Sequence, residues 1–183
     1  YSLMGPDWVS FVFEGALDKG RRIKKTLKFK GDSYLFEVQA MVEPASVLWL
    51  EWTRVESPSD SKRSYDPESI VLLDQDRKLQ SRLVSGIKAD GLTTIEDGGK
   101  WLSFMDSYFM ASLIPPVPMV RNAQSGRFML PAAEAGLEAK ELYVLRAGGA
   151  QGAGNFSVYL GPKEYSALEG LGFDLHRGID LGF

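Results

Sequence analysis

The stretch Tyr34–Val42 reads YLFEVQAMV, and its apolar residues recur at every second position. Tyr34, Phe36 and Val38 share one face of this pattern, whereas the charged residue Glu37 falls on the other. Such alternation is typical of a β-strand with one buried face. We therefore predict that Tyr34, Phe36 and Val38 point into a core between two sheets.

Similar strand-like segments occur along most of the chain. Trp8–Phe13 alternates in the same way, and Val47–Trp52 is apolar enough to be covered on both faces. Lys30-Gly31-Asp32 is typical of a hairpin turn that joins Leu27–Phe29 to the strand starting at Tyr34. Shorter strands are predicted at Ser69–Leu73, Leu83–Lys88, Lys100–Met105, Tyr108–Ile114, Ala139–Arg146 and Phe156–Leu160. The pattern predicts an all-β, antiparallel two-sheet sandwich.

The composition is that of an ordinary globular protein and gives no sign of nucleic-acid binding. The chain has 183 residues, of which 44% are hydrophobic and 25% charged, with a net charge of −3. The basic cluster Arg21–Lys25 alternates into a strand and is interpreted as a solvated sheet edge, where lysines discourage aggregation. The longest uncharged run, Ser107–Val120, contains three prolines. It is shorter than the roughly 20 apolar residues that a membrane helix needs.

Groups that carry catalysis are scarce in this sequence. There is no cysteine, and one histidine, His176, is too few for a His-based metal site. We interpret His176 as a surface or tail-packing residue. Asp74-Gln75-Asp76 begins like a calcium loop without its glycine and distal glutamate, so a solvated turn is predicted. The glycine-rich segment Ala147–Asn155 lacks the features of a phosphate loop and is predicted to be a mobile connection. We predict no catalytic, metal or cofactor site.

Helix is predicted in one place, near the C-terminus. Pro162 suits the first turn of a helix that runs to Leu171, and Gly172 then interrupts it. Leu168, Leu171 and Leu175 recur at helical spacing, so one apolar stripe continues through the break. We predict that Leu168 faces the protein and that these three leucines form an interaction surface.

Three sequence segments carry a family pattern. The first is Ile23–Phe29 followed by Asp32–Val38, which reads as strand, turn and strand. The second is Trp101–Phe109, a tryptophan-containing strand that runs on to an Ile-Pro pair. The third is Val158–Tyr165, with a Tyr-x-Gly-Pro-Lys junction, followed by Gly178–Phe183. In their order and spacing, these segments resemble the large periplasmic domain of the YidC family of membrane protein insertases.

The resemblance implies a fold, a domain division and a set of motif residues. The fold is an antiparallel β-supersandwich of the galactose mutarotase-like kind with a short C-terminal helix. Residues 1–161 would form the β-sandwich, and residues 162–183 a helix and juxtamembrane segment. The matching family-motif residues are Asp32, Tyr34, Trp101, Tyr108, Phe109, Gly161, Pro162, Lys163 and Gly182.

The resemblance also implies a function. The parent proteins insert and fold inner-membrane proteins, alone or with the Sec translocon, through a membrane core of five helices. The domain is expected on the periplasmic side of the bacterial inner membrane as a non-catalytic interaction and positioning module. Its expected partners are nascent inner-membrane proteins and the Sec translocon, with SecF as the contact; neither nucleic acid nor a cofactor is expected.

The sequence leaves two alternative functions open. Mutarotase-like folds host carbohydrate binding or epimerisation, although epimerases of that fold need a pair of histidines. A peptide-binding chaperone module would hold an unfolded segment on an exposed strand edge or a concave sheet. The tryptophans Trp8, Trp49, Trp52 and Trp101 would line such a surface, although most of them are expected in the core.

Overall fold

The structure of the chain is a computed structural model that describes residues 7–55, 69–74, 76–87, 91–95, 99–115, 122–130 and 140–179. The strands are β1 (Trp8–Ala16), β2 (Arg22–Lys30), β3 (Leu35–Glu43), β4 (Val47–Val55), β5 (Ser69–Asp74), β6 (Leu79–Leu83), β7 (Gly91–Ile95), β8 (Gly99–Met105), β9 (Phe109–Ile114), β10 (Asn122–Leu130), β11 (Lys140–Gln151) and β12 (Ala153–Pro162). Helix α1 spans Tyr165–Gly170, and 3₁₀ turns lie at Asp18–Gly20, Val84–Gly86 and Leu175–Gly178.

The strands form two antiparallel sheets. The large sheet has the order β1-β2-β3-β12-β9-β8-β5-β6, and the small sheet has the order β10-β11-β4. Strand β7 runs beside β10. The predicted hairpin between β2 and β3 is present, with Leu27 opposite Val38. The two-sheet, all-β fold predicted from the sequence is confirmed.

Two apolar clusters cover opposite faces of the large sheet. The inter-sheet core lies between the sheets and includes Val38, Leu72, Leu102, Phe104, Leu113, Phe156 and Val158 of the large sheet and Tyr143, Leu145 and Ala147 of the small one. The outer cluster lies on the far face and comprises Val71, Leu73, Trp101, Met105, Met110, Ile114, Tyr159, Leu168 and Leu175. Because both faces of β5, β8, β9 and β12 are covered, apolar residues occupy adjacent positions in these strands, as in Ile70–Leu73, Trp101–Leu102, Leu113–Ile114 and Val158–Leu160.

The prediction for the strand that starts at Tyr34 was right for one residue, partly right for another and wrong for the third. Val38 is buried in the inter-sheet core, and Phe36 is half-buried against it. Tyr34 is 59% exposed, because it precedes the first residue of β3 and lies outside the pleat that directs the other two.

Several predicted boundaries were wrong. The strand placed at Leu83–Lys88 is β6, which ends at Leu83 and gives way to a 3₁₀ turn, while Lys88 lies outside the described residues. Arg21–Lys25 does not form a sheet edge, because β2 lies between β1 and β3. Val47 is exposed, so the two-sided burial predicted for β4 does not hold along its whole length. Strands β7 and β10 were not predicted.

The glycine-rich segment Ala147–Asn155 is not a mobile connection. Strand β11 continues to Gln151, and β12 begins at Ala153. Gly152 alone makes the turn between them, with a φ of 76° that favours glycine. Among the described residues, no helix is long and apolar enough to cross a membrane.

Candidate functional site

Residues from all three motif segments meet where β12 ends. The backbone N–H of Leu160 donates to the carbonyl of Tyr34 at 3.0 Å, and the N–H of Lys163 donates to the carbonyl of Tyr108 at 2.7 Å. The Lys163 ammonium donates to the carbonyl of Asp106 at 2.8 Å. These bonds join segments that lie far apart in the sequence into one assembly, which we call the junction.

Tyr159 contacts two residues of the junction, Pro162 and Tyr34. Its hydroxyl donates to the carbonyl of Pro162 at 2.7 Å, and its ring packs edge-on against Tyr34. Burial raises the pKa of the Tyr159 hydroxyl, and the nearby Tyr34 and Glu164 raise it further. The hydroxyl therefore stays protonated and keeps donating across the physiological pH range. Pro162 is the last residue of β12 rather than the first of the helix, which begins at Tyr165, so that prediction was wrong.

Gly161 is required at the junction by the closeness of two tyrosines. A Cβ atom at this position would lie 2.7 Å from Cγ of Tyr34 and 2.8 Å from the hydroxyl of Tyr159. Both distances are far inside van der Waals contact, so a side chain would force the rings apart.

Replacing Gly161 with Ala is expected to lower the free energy of unfolding by about 1–3 kcal/mol, because overpacking displaces the tyrosines. Gly170 is the matched control, since no atom lies within 4 Å of a Cβ built there. Gly170→Ala is expected to be neutral or stabilising by up to about 1 kcal/mol, because alanine favours helix. Urea denaturation of both variants measures the difference, and equal effects would contradict the steric role of Gly161.

The C-terminal segment Tyr165–Ile179 lies against the outer face of the large sheet. Leu168 and Leu175 are completely buried in the outer cluster, and Leu171 and Ile179 pack against it. Leu168 faces the protein, as the leucine spacing predicted. Because the side chains of Leu168 and Leu175 are buried within the chain, a partner could contact the predicted leucine surface mainly through Leu171. That interaction role stays a prediction.

An ion-pair cluster that the sequence did not reveal holds this segment at its middle. Asp174 accepts from Arg77 Nη2 at 2.6 Å and from Lys100 Nζ at 2.9 Å. Hydrogen bonding from Lys100, and then from Arg77, holds the pKa of the Asp174 carboxyl below its ordinary value, against the opposing effect of burial. Because Arg77 and Lys100 are far from Asp174 in the sequence, no local pattern connects the three residues. We call this cluster the Asp174 clamp.

The Asp174 clamp predicts a pH dependence of stability. The pKa of Asp174 is lower in the folded than in the unfolded chain, so its stabilisation is complete above the unfolded value of about 4. That stabilisation is lost as the pH falls through the folded pKa. Asp174→Asn is expected to lower the free energy of unfolding by about 1 kcal/mol at pH 7, an estimate that allows for solvent screening. Urea denaturation of wild type and variant should show the difference shrinking below about pH 4; a constant difference would contradict the assignment.

An open cleft of about 840 Å³ adjoins the junction. Tyr34, Trp52 and Phe109 supply aromatic walls, with Arg54 and Asp106 as the charged residues. The remaining lining residues are Thr53, Phe104, Met110, Ala111, Leu160, Gly161 and Pro162. Asp106 accepts the backbone N–H groups of Tyr108 and Phe109 at 2.8 and 2.6 Å, so its carboxylate is part of the local turn. The cleft is therefore mainly apolar and aromatic.

Among the other family-motif residues, Asp32 and Trp101 do not line the cleft. Trp101 is 1% exposed within the outer cluster. Asp32 forms an ion pair with Lys30 at 3.0 Å in the β2–β3 turn, and Gly182 lies outside the described residues. His176 packs its ring against Tyr165 at 5.2 Å, in keeping with a tail-packing role. No group of three metal-ligating side chains occurs among the residues that the structure describes.

Comparison with known proteins gives a family match over nearly the whole chain. The family model described as the YidC periplasmic domain matches residues 2–183. The chain is 22% identical over 170 residues to a protein of Syntrophus aciditrophicus named membrane protein insertase YidC, and the alignment covers 88% of this chain and 30% of that relative. It is 33% identical over 89 residues to a protein of Magnetococcus marinus with the same name, covering 46% of this chain and 16% of that relative. The chain thus spans well under half the length of the curated relatives that it matches.

Proposed function

Because the chain belongs to the YidC periplasmic-domain family, we propose that it is a non-catalytic module that positions a membrane protein insertase on the periplasmic side of the bacterial inner membrane. The relatives that share the domain are named membrane protein insertases. The activity proposed for the whole protein is insertion and folding of inner-membrane proteins, alone or with the Sec translocon through SecF. No cofactor is required for this role.

The observation that carries the proposal is the attachment of the C-terminal segment to the large sheet. Leu168 and Leu175 of this segment are buried against the sheet, and the Asp174 clamp holds the segment at a point between them. In the family pattern, the segment that begins at Gly178 comes just before a membrane helix. A segment held at several points transmits the orientation of the sandwich to whatever is joined to it, which is the property that a positioning module needs.

The test is a depletion–complementation assay with a whole insertase that carries this domain. Asp174→Lys places a cation against Arg77 and Lys100, and it is expected to slow insertion of a membrane-protein client while the sandwich stays folded. Glu51→Lys is the matched control, because Glu51 accepts from Arg146 at 2.6 Å on the small sheet, away from the C-terminal segment. Both variants must reach wild-type expression. Equal insertion by the two variants would refute the positioning role.

A second candidate function is favoured by the cleft. We propose that it holds an extended apolar polypeptide segment rather than a sugar, because most of its lining residues are apolar and few side chains there could hydrogen-bond to sugar hydroxyls. Strand β4, which lines the cleft with Trp52 and Thr53, is also the last strand of the small sheet in the described part of the chain. Its open edge would give an extended backbone hydrogen-bonding partners.

Tryptophan fluorescence tests this second function, because Trp52 lies in the cleft wall. An extended apolar peptide is expected to change the emission in a saturable way, whereas mono- and disaccharides are not. Phe109→Ala should weaken peptide binding, since Phe109 is 59% exposed in the cleft. Leu83→Ala, at a similarly exposed position on β6, should leave binding unchanged. Saturable binding of a sugar, or equal effects of the two substitutions, would exclude the proposed ligand.

A further inference from the structure

In the part of the chain that the structure describes, no strand pairs with the outer edge of β1, and this edge lacks the usual protection against pairing. Strand β1 is the terminal strand of the large sheet, and its register with β2 runs without a bulge from Trp8 to Ala16. It contains no proline and no lysine, and Glu14 is its one charged residue. Edge strands are normally blunted by such residues, by bulges or by short length. The opposite edge strand, β6, is only five residues long and carries Arg82.

Hydrogen bonds at both ends of β1 establish which backbone groups face outward. The N–H of Gly31 donates to the carbonyl of Asp7 at 3.0 Å, and the N–H of Leu17 donates to the carbonyl of Arg21 at 2.8 Å. In an antiparallel pair, hydrogen-bonded positions alternate along the strand. The odd-numbered residues of β1 therefore bond to β2. The even-numbered residues direct their N–H and C=O groups to the open edge; they are Trp8, Ser10, Val12, Glu14 and Ala16.

Apolar side chains of β1 are exposed on both faces of the sheet. Phe11 and Phe13 are 49% and 52% exposed on the face that continues the inter-sheet side. Trp8 and Val12 are 56% and 54% exposed on the other face. Only weak contacts link the small sheet to β3 and β12, and none of appreciable extent reaches β1 or β2 in the described part of the chain.

We propose that β1 pairs with β1 of a second copy of this chain, in an antiparallel register centred on Val12. In this register every outward-facing residue of one strand meets an outward-facing residue of the other, so all five contribute hydrogen bonds. The self-complementary arrangement closes as a two-fold dimer and joins the two large sheets into one. This inference does not depend on the proposed insertase function.

Side-chain chemistry supports this register. Val12 meets Val12 of the second copy, and Phe11 meets Phe13 on both sides of the two-fold axis, giving aromatic cross-strand pairs. Glu14, which already pairs with Lys24 at 2.9 Å, lies opposite the uncharged Ser10. No like charges therefore face each other across the interface. A contact of one strand from each copy is small, so the dimer belongs to the weak, transient class.

The experiment is sedimentation equilibrium of this chain at concentrations up to about 1 mM, which suits a weak interface. The wild type is expected to approach the mass of a dimer. Val12→Lys and Val12→Glu are each expected to stay monomeric, because like charges would meet at the two-fold axis. An equimolar mixture of the two variants should dimerise again, since opposite charges then meet. Leu79→Lys, on the opposite edge strand, is the control and should dimerise like the wild type.

Cross-linking tests the register independently. Hydrogen-bonded antiparallel positions lie about 5.5 Å apart at Cα, within the range that a disulfide spans. Because the chain has no cysteine, Val12→Cys should give one covalent dimer on oxidation, and Leu79→Cys should not. A monomeric wild type would overturn the proposal, as would failure of the charge-swapped mixture to associate. A monomer that instead binds an extended peptide, and loses that binding on Val12→Lys, would assign the edge to a foreign strand.

Discussion

Replacing Leu168 with Ala is expected to lower the free energy of unfolding of the whole domain by about 2–5 kcal/mol. Leu168 has no exposed surface and packs with Trp101 and Tyr159 in the outer cluster, so truncation leaves a cavity within a packed core. The loss should match that of Leu145→Ala, because Leu145 is equally buried on the other side of the large sheet. Urea denaturation followed by circular dichroism and by tryptophan fluorescence measures both variants.

This comparison also tests the division of the chain at residues 161 and 162. If the C-terminal segment were a separate unit, Leu168→Ala would release it and leave the unfolding of the sandwich unchanged. We expect instead a single transition shifted to lower urea with both probes, because the outer cluster is shared by strands and C-terminal segment. Leu83→Ala, half-exposed on β6, is the control and should change the free energy by less than about 0.5 kcal/mol. Two separate transitions in the Leu168 variant would support the division.

The parts of the fold that local chemistry determines were predictable from the sequence. The β2–β3 hairpin follows from the Lys30–Asp32 turn and from the alternation in Tyr34–Val42, both of which lie within a few residues. The burial of Leu168 follows from leucines at helical spacing. By contrast, β10 joins polar, small and apolar residues without a regular period, and its pairing with β11 decides its conformation.

Two glycines of the segment Ala147–Asn155 have different structural roles. Gly152 makes the turn between β11 and β12, whereas Gly148 leaves room for a side chain of the neighbouring strand. Gly148 lies within β11, where a Cβ would come within 2.2 Å of Cε3 of Trp49. Glycine is needed there because an aromatic ring from the neighbouring strand occupies the space of a side chain. The sequence alone suggested flexibility, whereas the pairing of β4 with β11 makes the position rigid.

The sequence motifs indicated which segments form the junction, but they did not predict its geometry. The motif segments around Tyr34, Tyr108 and Gly161 stand far apart in the sequence, and only the strand order β3-β12-β9 brings them together. The cleft beside them depends on β4 of the other sheet, and the Asp174 clamp on Arg77 and Lys100. These contacts depend on tertiary packing, for which a single sequence offers no periodic signal.

Replacing Trp101 with Ala is expected to lower the free energy of unfolding by about 3–5 kcal/mol. Trp101 is the largest fully buried side chain of the described residues, and it lies beneath the C-terminal segment. A Cβ on Gly178 would lie 3.3 Å from its Cη2 atom, so the indole ring directly supports the backbone there. Trp101 is therefore expected to hold that segment in place rather than to contact a partner.

A milder substitution at Trp101 distinguishes the effect of side-chain volume on stability from the effect of the buried N–H group. The indole N–H of Trp101 is buried and has no hydrogen-bond partner among the described residues. Trp101→Phe removes that unpaired donor while keeping most of the ring, so its cost should be less than half that of Trp101→Ala. Trp8→Ala, at an exposed position of β1, is the control and should change stability little. If Trp101→Phe were as damaging as Trp101→Ala, the N–H would have a partner, and the purely apolar role of Trp101 would be wrong.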